Sequence, residues 1–432
     1  MVYQNSIEFA RKLDEQDLLK EFRHKFFIPK IKGKQSNYLC GNSLGLQPVT
    51  VKETIEQELK DWAELGVEAH EEAKNPWITY HRTVTKQTAQ IVGAKPHEVV
   101  MMNSLTVNLH LMLTSFYRPT NKKYKIITEA GAFSSDQYAI ESQVKLHGLD
   151  PKKAIIEVKP QKGEYTIRTE DILECINQHK KELALVLFGG INYYTGQAFQ
   201  LEAITKAAHK AGAIAGFDLA HSAGNVLLKL HDWQVDFAVW CTYKYLNAGP
   251  GGVGGLFVHE KYADKKLPRM AGWWGHNEQD RFMMKKGFKA MHGAEGWQLS
   301  NAPILSMAAY KASADIFAQA GMAKLLKKSH MLTGFMEYLI TTECKLPSAF
   351  NSEDEHYTIR IITPKEEDQR GCQLSILIKK NGEKLFNKLK KENFIVDWRS
   401  PGVIRVAPVP LYNTFEEVYK FATTLTEVCC HE

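Results

Sequence analysis

The chain has 432 residues, of which 44% are hydrophobic, 10% aromatic and 24% charged, the balance of a folded protein large enough for two or three domains. That composition excludes collagen-like, low-complexity and disordered classes. Lys and Arg number 55 and Asp and Glu 49, a net of +6 mixed along the chain without a long basic run, so no nucleic-acid partner is expected.

At the N-terminus Phe9, Ala10 and Leu13 space like one helix face, and Leu18, Leu19, Phe22 and Phe26 like another, until Pro29 stops the run. Charges occupy the place where a secretory leader needs an apolar core, and no run of about 18 apolar residues occurs. The chain therefore reads as soluble, untargeted and cytoplasmic, with no membrane partner. The cysteines Cys40, Cys175, Cys241, Cys344, Cys372, Cys429 and Cys430 are scattered without a CxxC pair, which predicts reduced thiols and no metal site.

From Val99 to Val258 the short apolar runs Val99–Met102, Tyr124–Thr128, Ala184–Phe188, Ile214–Asp218 and Phe237–Cys241 alternate with helix-like or loop segments. Apolar on both faces and separated by crossovers, they predict a mainly parallel sheet covered by helices. After Asn301 the pattern predicts a long helical stretch through Ile304–Tyr338 and strands at Tyr357–Ile362 and Gln373–Ile378. A helix near Lys384–Lys391, strands at Phe394–Val396 and Val403–Val406, and a last helix after Asn413-Thr414 with Glu417 in capping-box position follow. The expected organisation is a large domain over 43–300 and a small α+β domain from 1–42 and 301–432, with the N-terminal helices packed on the latter. No internal repeat is visible.

Two motifs are set aside. His70-Glu71 begins like HExxH, but Lys74 stands four after His70, so a helical zinc site fails. The run GPGGVGG at Gly249–Gly255 precedes a strand-like segment rather than a helix, so it is neither a P-loop nor a dinucleotide fingerprint. It reads as a tight connection between strands, or as a close backbone approach to a ligand.

In open α/β sheets ligands sit outside the carboxyl ends of the strands. Asp218 ends one predicted strand and Lys244 follows the next. Alone they could be an ordinary ion pair. Asn103, Ser104 and Thr106 open the helix-like Val107–Phe116, a place where an anion meets backbone N–H groups, and Phe133 follows Tyr124–Thr128. Phe133 alone could be core packing and Thr106 a cap. Together the four meet the needs of pyridoxal phosphate (PLP): a lysine for its aldehyde, a carboxylate for its ring nitrogen, an aromatic plate and phosphate donors.

At this density of motifs the sequence resembles the kynureninase family, of the aminotransferase-like PLP fold (fold type I), from roughly Phe27 to Val428. The markers are YLCGNSLGLQP (Tyr38–Pro48), PWIT (Pro76–Thr79), NSLTVNLH (Asn103–His110), YAIESQ (Tyr138–Gln143), GFDLAHSAGN (Gly216–Asn225), TYKYLNAGPGG (Thr242–Gly252), GWWGH (Gly272–His276) and IRVAPVPLYN (Ile404–Asn413). The vertebrate-type enzymes look closer than the bacterial ones. The resemblance implies a seven-stranded-type sheet and a homodimer with sites at the subunit interface.

It further implies that Lys244 bonds the cofactor's aldehyde carbon, Asp218 faces the pyridine nitrogen and Phe133 stacks on the ring. Leu105, Thr106 and Tyr243 match phosphate ligands, and Asp136, His221 and Trp273 match positions lining the cofactor, Trp273 from the second subunit. Arg405 with Asn42 is similar to the group that grips the substrate carboxylate. His70 and Asn301 match contacts to the substrate ring, Asn301 also being a cofactor neighbour from the partner. Gly189 stands where vertebrate relatives carry a serine.

The implied reaction is hydrolytic Cβ–Cγ cleavage of kynurenine or 3-hydroxykynurenine, yielding an anthranilate and alanine, with Tyr243 as the acid/base of the cleavage. Preference for the 3-hydroxy substrate is expected from His70 and Asn301. The alternatives weighed are a cysteine desulfurase or aminotransferase of the same fold, for which Cys344 is the one plausible reactive thiol, and a catalytically silent relative.

Overall fold

Seven strands carry the large domain: β1 (Val99–Met101), β2 (Lys125–Glu129), β3 (Ile155–Val158), β4 (Leu183–Gly189), β5 (Ile214–Asp218), β6 (Phe237–Cys241) and β7 (Gly254–Val258). They form one sheet in the order β1-β7-β6-β5-β4-β2-β3, in which β7 alone runs antiparallel to its neighbours. The structure is a computed structural model that describes residues 2–344 and 359–430. β5, β6 and β7 are buried almost throughout, which is why they read as continuous apolar runs rather than alternating ones. Packed cores cover both faces, one including Phe188, Phe217 and Trp240 and the other Leu187, Phe237 and Val239.

The sequence reading differs in two informative places. β3, at the sheet edge, was not expected; its first three residues are only half-buried or exposed, so it lacks the apolar continuity of the central strands. β2 extends one residue beyond the expected Thr128, so that Glu129 becomes a strand end facing the interior.

The small domain is a four-stranded antiparallel sheet of β8 (Ile359–Ile361), β9 (Leu374–Ile378), β10 (Asp397–Arg399) and β11 (Val403–Val406), ordered β8-β9-β11-β10. Tyr357 and Thr358 of the expected strand Tyr357–Ile362 lie outside the described residues. The expected helix through Ile304–Tyr338 is two, Ile304–Ala320 and Met322–Glu343, divided at Gly321, whose φ of +77° ends the first. Met307, Tyr310 and Phe317 of the first helix join the core of the large sheet, whereas Leu332, Phe335 and Leu339 of the second join the small one.

The helix Ile7–Glu15 buries Ala10 and Leu13 in the small core, but Leu19 and Phe26 turn to the large one, so the N-terminal arm bridges both. Asp14 accepts the N–H groups of Phe415 and Glu416 at 2.7 and 3.0 Å and so caps the last helix, Phe415–Cys430. The capping box is present there, with Thr414 N–H to Glu417 Oε2 and Glu417 N–H to Thr414 Oγ1 both at 3.1 Å. Cys40, Cys175, Cys241 and Cys372 are free, but Cys344 is disulfide-bonded, which corrects the expectation of reduced thiols there. Cys344 stands just after the helix Met322–Glu343, and a tertiary pairing of this kind is not carried by spacing along the chain.

Candidate active site

The carboxyl ends of the parallel strands ring a cavity walled by eight of the expected residues, Leu105, Thr106, Phe133, Asp136, Asp218, His221, Tyr243 and Lys244. Glu129, Ser135, Gly189, Ile191, Tyr193 and Ala220 complete the wall.

Asp218 ends β5, in register with Gly189 of β4 and Val239 of β6, so the sheet itself fixes it. Its Oδ1 accepts the Ala220 N–H at 2.7 Å, and its carboxyl meets that of Asp136. Burial pushes both carboxyls up, Asp136 the further because Asp218 lies beside it, and Asp136 Oδ1 has no protein partner. Lys244 lies on the turn after β6, with Nζ 3.0 Å from His221 Nε2. Burial, and then the charge of Lys244, drive His221 well below the ordinary imidazole range, so the ring is neutral, and its Nδ1 is also unpartnered. The loop of Gly41–Leu46 presses on this turn: Gly45 N–H donates to the Tyr243 carbonyl at 2.8 Å, and a Cβ on Gly45 would stand 2.3 Å from the Lys244 carbonyl oxygen. Burial holds the Tyr243 phenol protonated well past neutrality.

At the other end of the cavity the helices Leu105–Phe116 and Ser134–Leu146 begin side by side, with Thr106 Oγ1 and Ser135 Oγ 2.8 Å apart. Two helix N-termini and two hydroxyls converging on one spot suit a phosphate. The glycine run helps build it: Gly254 is in β7, not a loop, and a Cβ there would meet the Ser104 carbonyl carbon at 2.8 Å and Leu105 N at 3.0 Å. The close approach is therefore to backbone, which it brings behind the cradle. Phe133 is 45% exposed between the two ends, with Lys244 Nζ 5.8 Å from its ring centre.

These side chains fit a group carrying a phosphate, an aldehyde and a protonated ring nitrogen, because the unpartnered polar atoms are buried carboxyl and imidazole atoms beside a lysine. Another polar group, Glu98 with His231 and His259, places its ligand atoms within 4.8 Å of one another. Those atoms are already used: Glu98 Oε1 accepts the Glu260 N–H at 2.8 Å and faces His231 Nδ1 at 2.9 Å, and His259 Nδ1 accepts the Lys261 N–H at 3.1 Å.

The remaining expected residues do not reach this wall. Arg405, 1% exposed, pairs through Nη2 with Asp397 and donates from Nη1 to the Tyr193 carbonyl at 2.8 Å, while Nε has no partner. Asn42 donates to Gln373 Oε1 at 3.0 Å, and Gln373 in turn donates to the same Tyr193 carbonyl at 3.1 Å. Both thus stand one layer behind Tyr193. His70 packs edge-on against Trp77, Trp273 is 46% exposed with its indole N–H on the Arg281 carbonyl, and Asn301 is exposed. Sequence reading missed Glu129, Ser135 and Tyr193. Ser135 carried a signal, as a hydroxyl two residues after Phe133 at a helix start.

A family profile described as "Aminotransferase class-V" matches residues 37–366, and one described as "Kynureninase C-terminal domain" matches 325–425. The kynureninase of Myxococcus xanthus is 55% identical, covering 98% of this chain and 97% of that one. That of Mus musculus is 47% identical over 97% and 92%. Identity is thus higher to the myxobacterial protein, against the expectation of a closer match to vertebrate enzymes. Among solved structures, the apo cysteine desulfurase of Thermococcus onnurineus NA1 superposes with a TM-score of 0.73 at 18% identity, over 92% of this chain and 95% of that one. A C-DES variant with glycine covalently linked to its PLP cofactor gives 0.75 at 16%, over 94% and 99%.

Proposed function

The chain belongs to the kynureninase family, and from that premise we propose which of its own residues carry the reaction. The protein is a PLP-dependent hydrolase that cleaves the Cβ–Cγ bond of L-kynurenine or 3-hydroxy-L-kynurenine, giving anthranilate or 3-hydroxyanthranilate and L-alanine. When bound, the cofactor supplies an electron sink for negative charge developing on the substrate.

Lys244 holds the cofactor's aldehyde end and, once released, takes the substrate α-proton on Nζ. A free lysine has a pKa of about 10.4, so Nζ must be delivered in its neutral form to act as a base. Neutral His221, 3.0 Å away, orients Nζ without competing as a second cation. Asp218 keeps a proton on the ring nitrogen, and Asp136 shares its load. Phe133 stacks on the ring, while Leu105, Thr106, Ser135 and Tyr243 hold the phosphate. The protonated phenol of Tyr243 supplies the proton that the substrate Cβ needs when its bond to the hydrated ketone carbon breaks, so that the aryl fragment leaves as the acid and the retained fragment becomes that of alanine. Arg405, with Asn42, takes the substrate carboxylate, which displaces Asp397 from the guanidinium.

A homodimer completes each site, Trp273 and Asn301 reaching the partner's cofactor and His70 and Asn301 the substrate ring. An exposed apolar surface around Trp273, formed by Met270, Phe282, Met283, Met284 and Phe288, supports that reading. The same pair favours 3-hydroxykynurenine. We assign the enzyme to the cytoplasm; no helix among the described residues is long and apolar enough to cross a membrane.

The observation that carries these roles is one cavity holding Lys244, Asp218, Phe133 and two helix N-termini. Lys244→Ala is expected to abolish formation of anthranilate and alanine and to remove the borohydride-reducible chromophore. A variant that keeps both reassigns the lysine.

A further inference from the structure

Glu129 ends β2 and is 3% exposed, and both of its carboxylate oxygens accept hydrogen bonds. Oε2 takes the Gly189 N–H at 2.9 Å and Oε1 takes Asn192 Nδ2 at 3.3 Å. Asn192 then builds a turn: its Oδ1 accepts the N–H groups of Tyr194 and Thr195, each at 3.0 Å, and the Thr195 hydroxyl at 3.2 Å. Held inside that turn is Tyr193. Its ring meets Phe133 edge-on at 5.2 Å, and its carbonyl is the shared acceptor for Arg405 and Gln373.

We propose that Glu129 is a positioning residue for substrate binding: through Asn192 it fixes the Tyr193 carbonyl, and that carbonyl sets where Arg405 presents its guanidinium. The proposal rests on the reading of Arg405 as the group that takes the substrate carboxylate. A carboxylate is needed because both oxygens face donors, and an ionised Glu is the side chain of this length that accepts at both atoms. Burial, with a smaller push from Asp218, raises this carboxyl to about 7 even though the bonds from Gly189 and Asn192 pull it down, so those two donors are what offset the cost of an acid here. Glu129 touches no reacting atom in this scheme; it acts through the turn. It also bounds what position 189 can hold, since a Cβ on Gly189 would lie 3.2 Å from Glu129 Oε1.

The test reverses the bond. In the holoenzyme, Glu129→Gln turns an amide N–H toward a donor, and Asn192→Asp sets two carboxylates face to face. In the double variant Glu129→Gln/Asn192→Asp the Gln amide donates to the Asp carboxylate, restoring the contact with opposite polarity. Each single variant is expected to raise KM for kynurenine, and the dissociation constant of L-alanine by titration, about tenfold, with kcat within about twofold. The double variant is expected to return both to within about threefold of wild type. A general structural role would move kcat as well and would not be rescued.

Singles that leave KM and alanine affinity unchanged while Arg405→Lys raises them overturn the relay alone. So does a double variant no better than the worse single. An Arg405→Lys variant with unchanged KM overturns the carboxylate reading, and the relay with it. Should Glu129→Gln fail to fold, Asn192→Ala, which leaves Glu129 its bond to Gly189, carries the same expectation, and an unchanged KM there overturns the proposal.

Discussion

Asp218 and Lys244 each sit at or just after the end of a central strand, and Thr106 and Phe133 each stand at the start of a helix that follows a strand of the same sheet. His70 stands on a four-residue helix, Trp273 on a three-residue one and Asn301 at an exposed bend. The first group shares a cavity wall within one chain; the second does not reach it. A twisted parallel sheet with buried neighbours places its strand ends to within a bond length, whereas short exposed segments have few contacts of their own to place them. Strand ends and the helix starts behind them thus bring the first group together within one chain, while the short exposed segments leave the second group outside that wall.

The largest expected effect is in complementation between two inactive chains. Lys244→Ala and Trp273→Ala chains are each expected to be nearly inactive as homodimers. Mixed by unfolding and refolding, they should recover about a quarter of wild-type activity, because half the dimers are mixed and each mixed dimer has one intact site. No recovery with mixed dimers confirmed by mass would return Trp273 to its own chain's architecture.

Arg405 lies between the two groups, fixed by β11 yet one layer behind the wall. Arg405→Lys keeps the charge and loses the planar fork, a charge-assisted contact worth about 1.5–3 kcal/mol. KM for kynurenine is expected to rise roughly ten- to hundredfold with a smaller change in kcat. Unchanged kinetics would make Arg405 only the partner of Asp397, with which it already pairs.

The same contrast explains what the sequence made legible. Asp218 and Lys244 could be read because the strands before them are continuous apolar runs and ligands gather where such strands end. Glu129 was lost because it is polar at the end of an apolar run, so the strand was stopped one residue early at Thr128. Tyr193 was lost because its function lies in its backbone carbonyl, which no side-chain motif records. The split at Gly321 escaped because apolar periodicity continues on both sides of it. Nothing in the chain's own pattern groups His70, Trp273 and Asn301; that grouping rests on family resemblance alone.

A smaller effect is expected at the substrate ring. His70→Phe with Asn301→Thr should shift the kcat/KM ratio toward kynurenine over 3-hydroxykynurenine by about three- to tenfold, the worth of one hydrogen bond to the ring hydroxyl. Steady-state assays on both substrates measure it. An unchanged ratio would show that neither residue meets the hydroxyl.

The last expected effect falls on stability rather than turnover and concerns how the outer segment is held. Glu295 accepts from Arg82 Nε and Nη2 at 3.0 and 2.8 Å and faces His81 Nε2 at 3.2 Å, while Arg82 also reaches Glu278 at 3.0 Å. This network ties the region after Trp273 to the body of the large domain. Burial would raise the Glu295 carboxyl, but the hydrogen bonds from His81 and Arg82 outweigh it and bring it from 4.5 down to about 2. A carboxyl lowered on folding contributes stability that is fully present above its unfolded value, near 4.5, and is lost as pH falls toward about 2. Glu295→Gln should therefore cost about 1–3 kcal/mol at pH 7, with the gap to wild type narrowing steadily below pH 4.5. Urea denaturation at several pH values measures the gap. The variant should retain the borohydride-reducible chromophore of Lys244, because the strand ends that hold that lysine are built elsewhere. A gap that stays constant into acid would mean Glu295 contributes by packing rather than by charge.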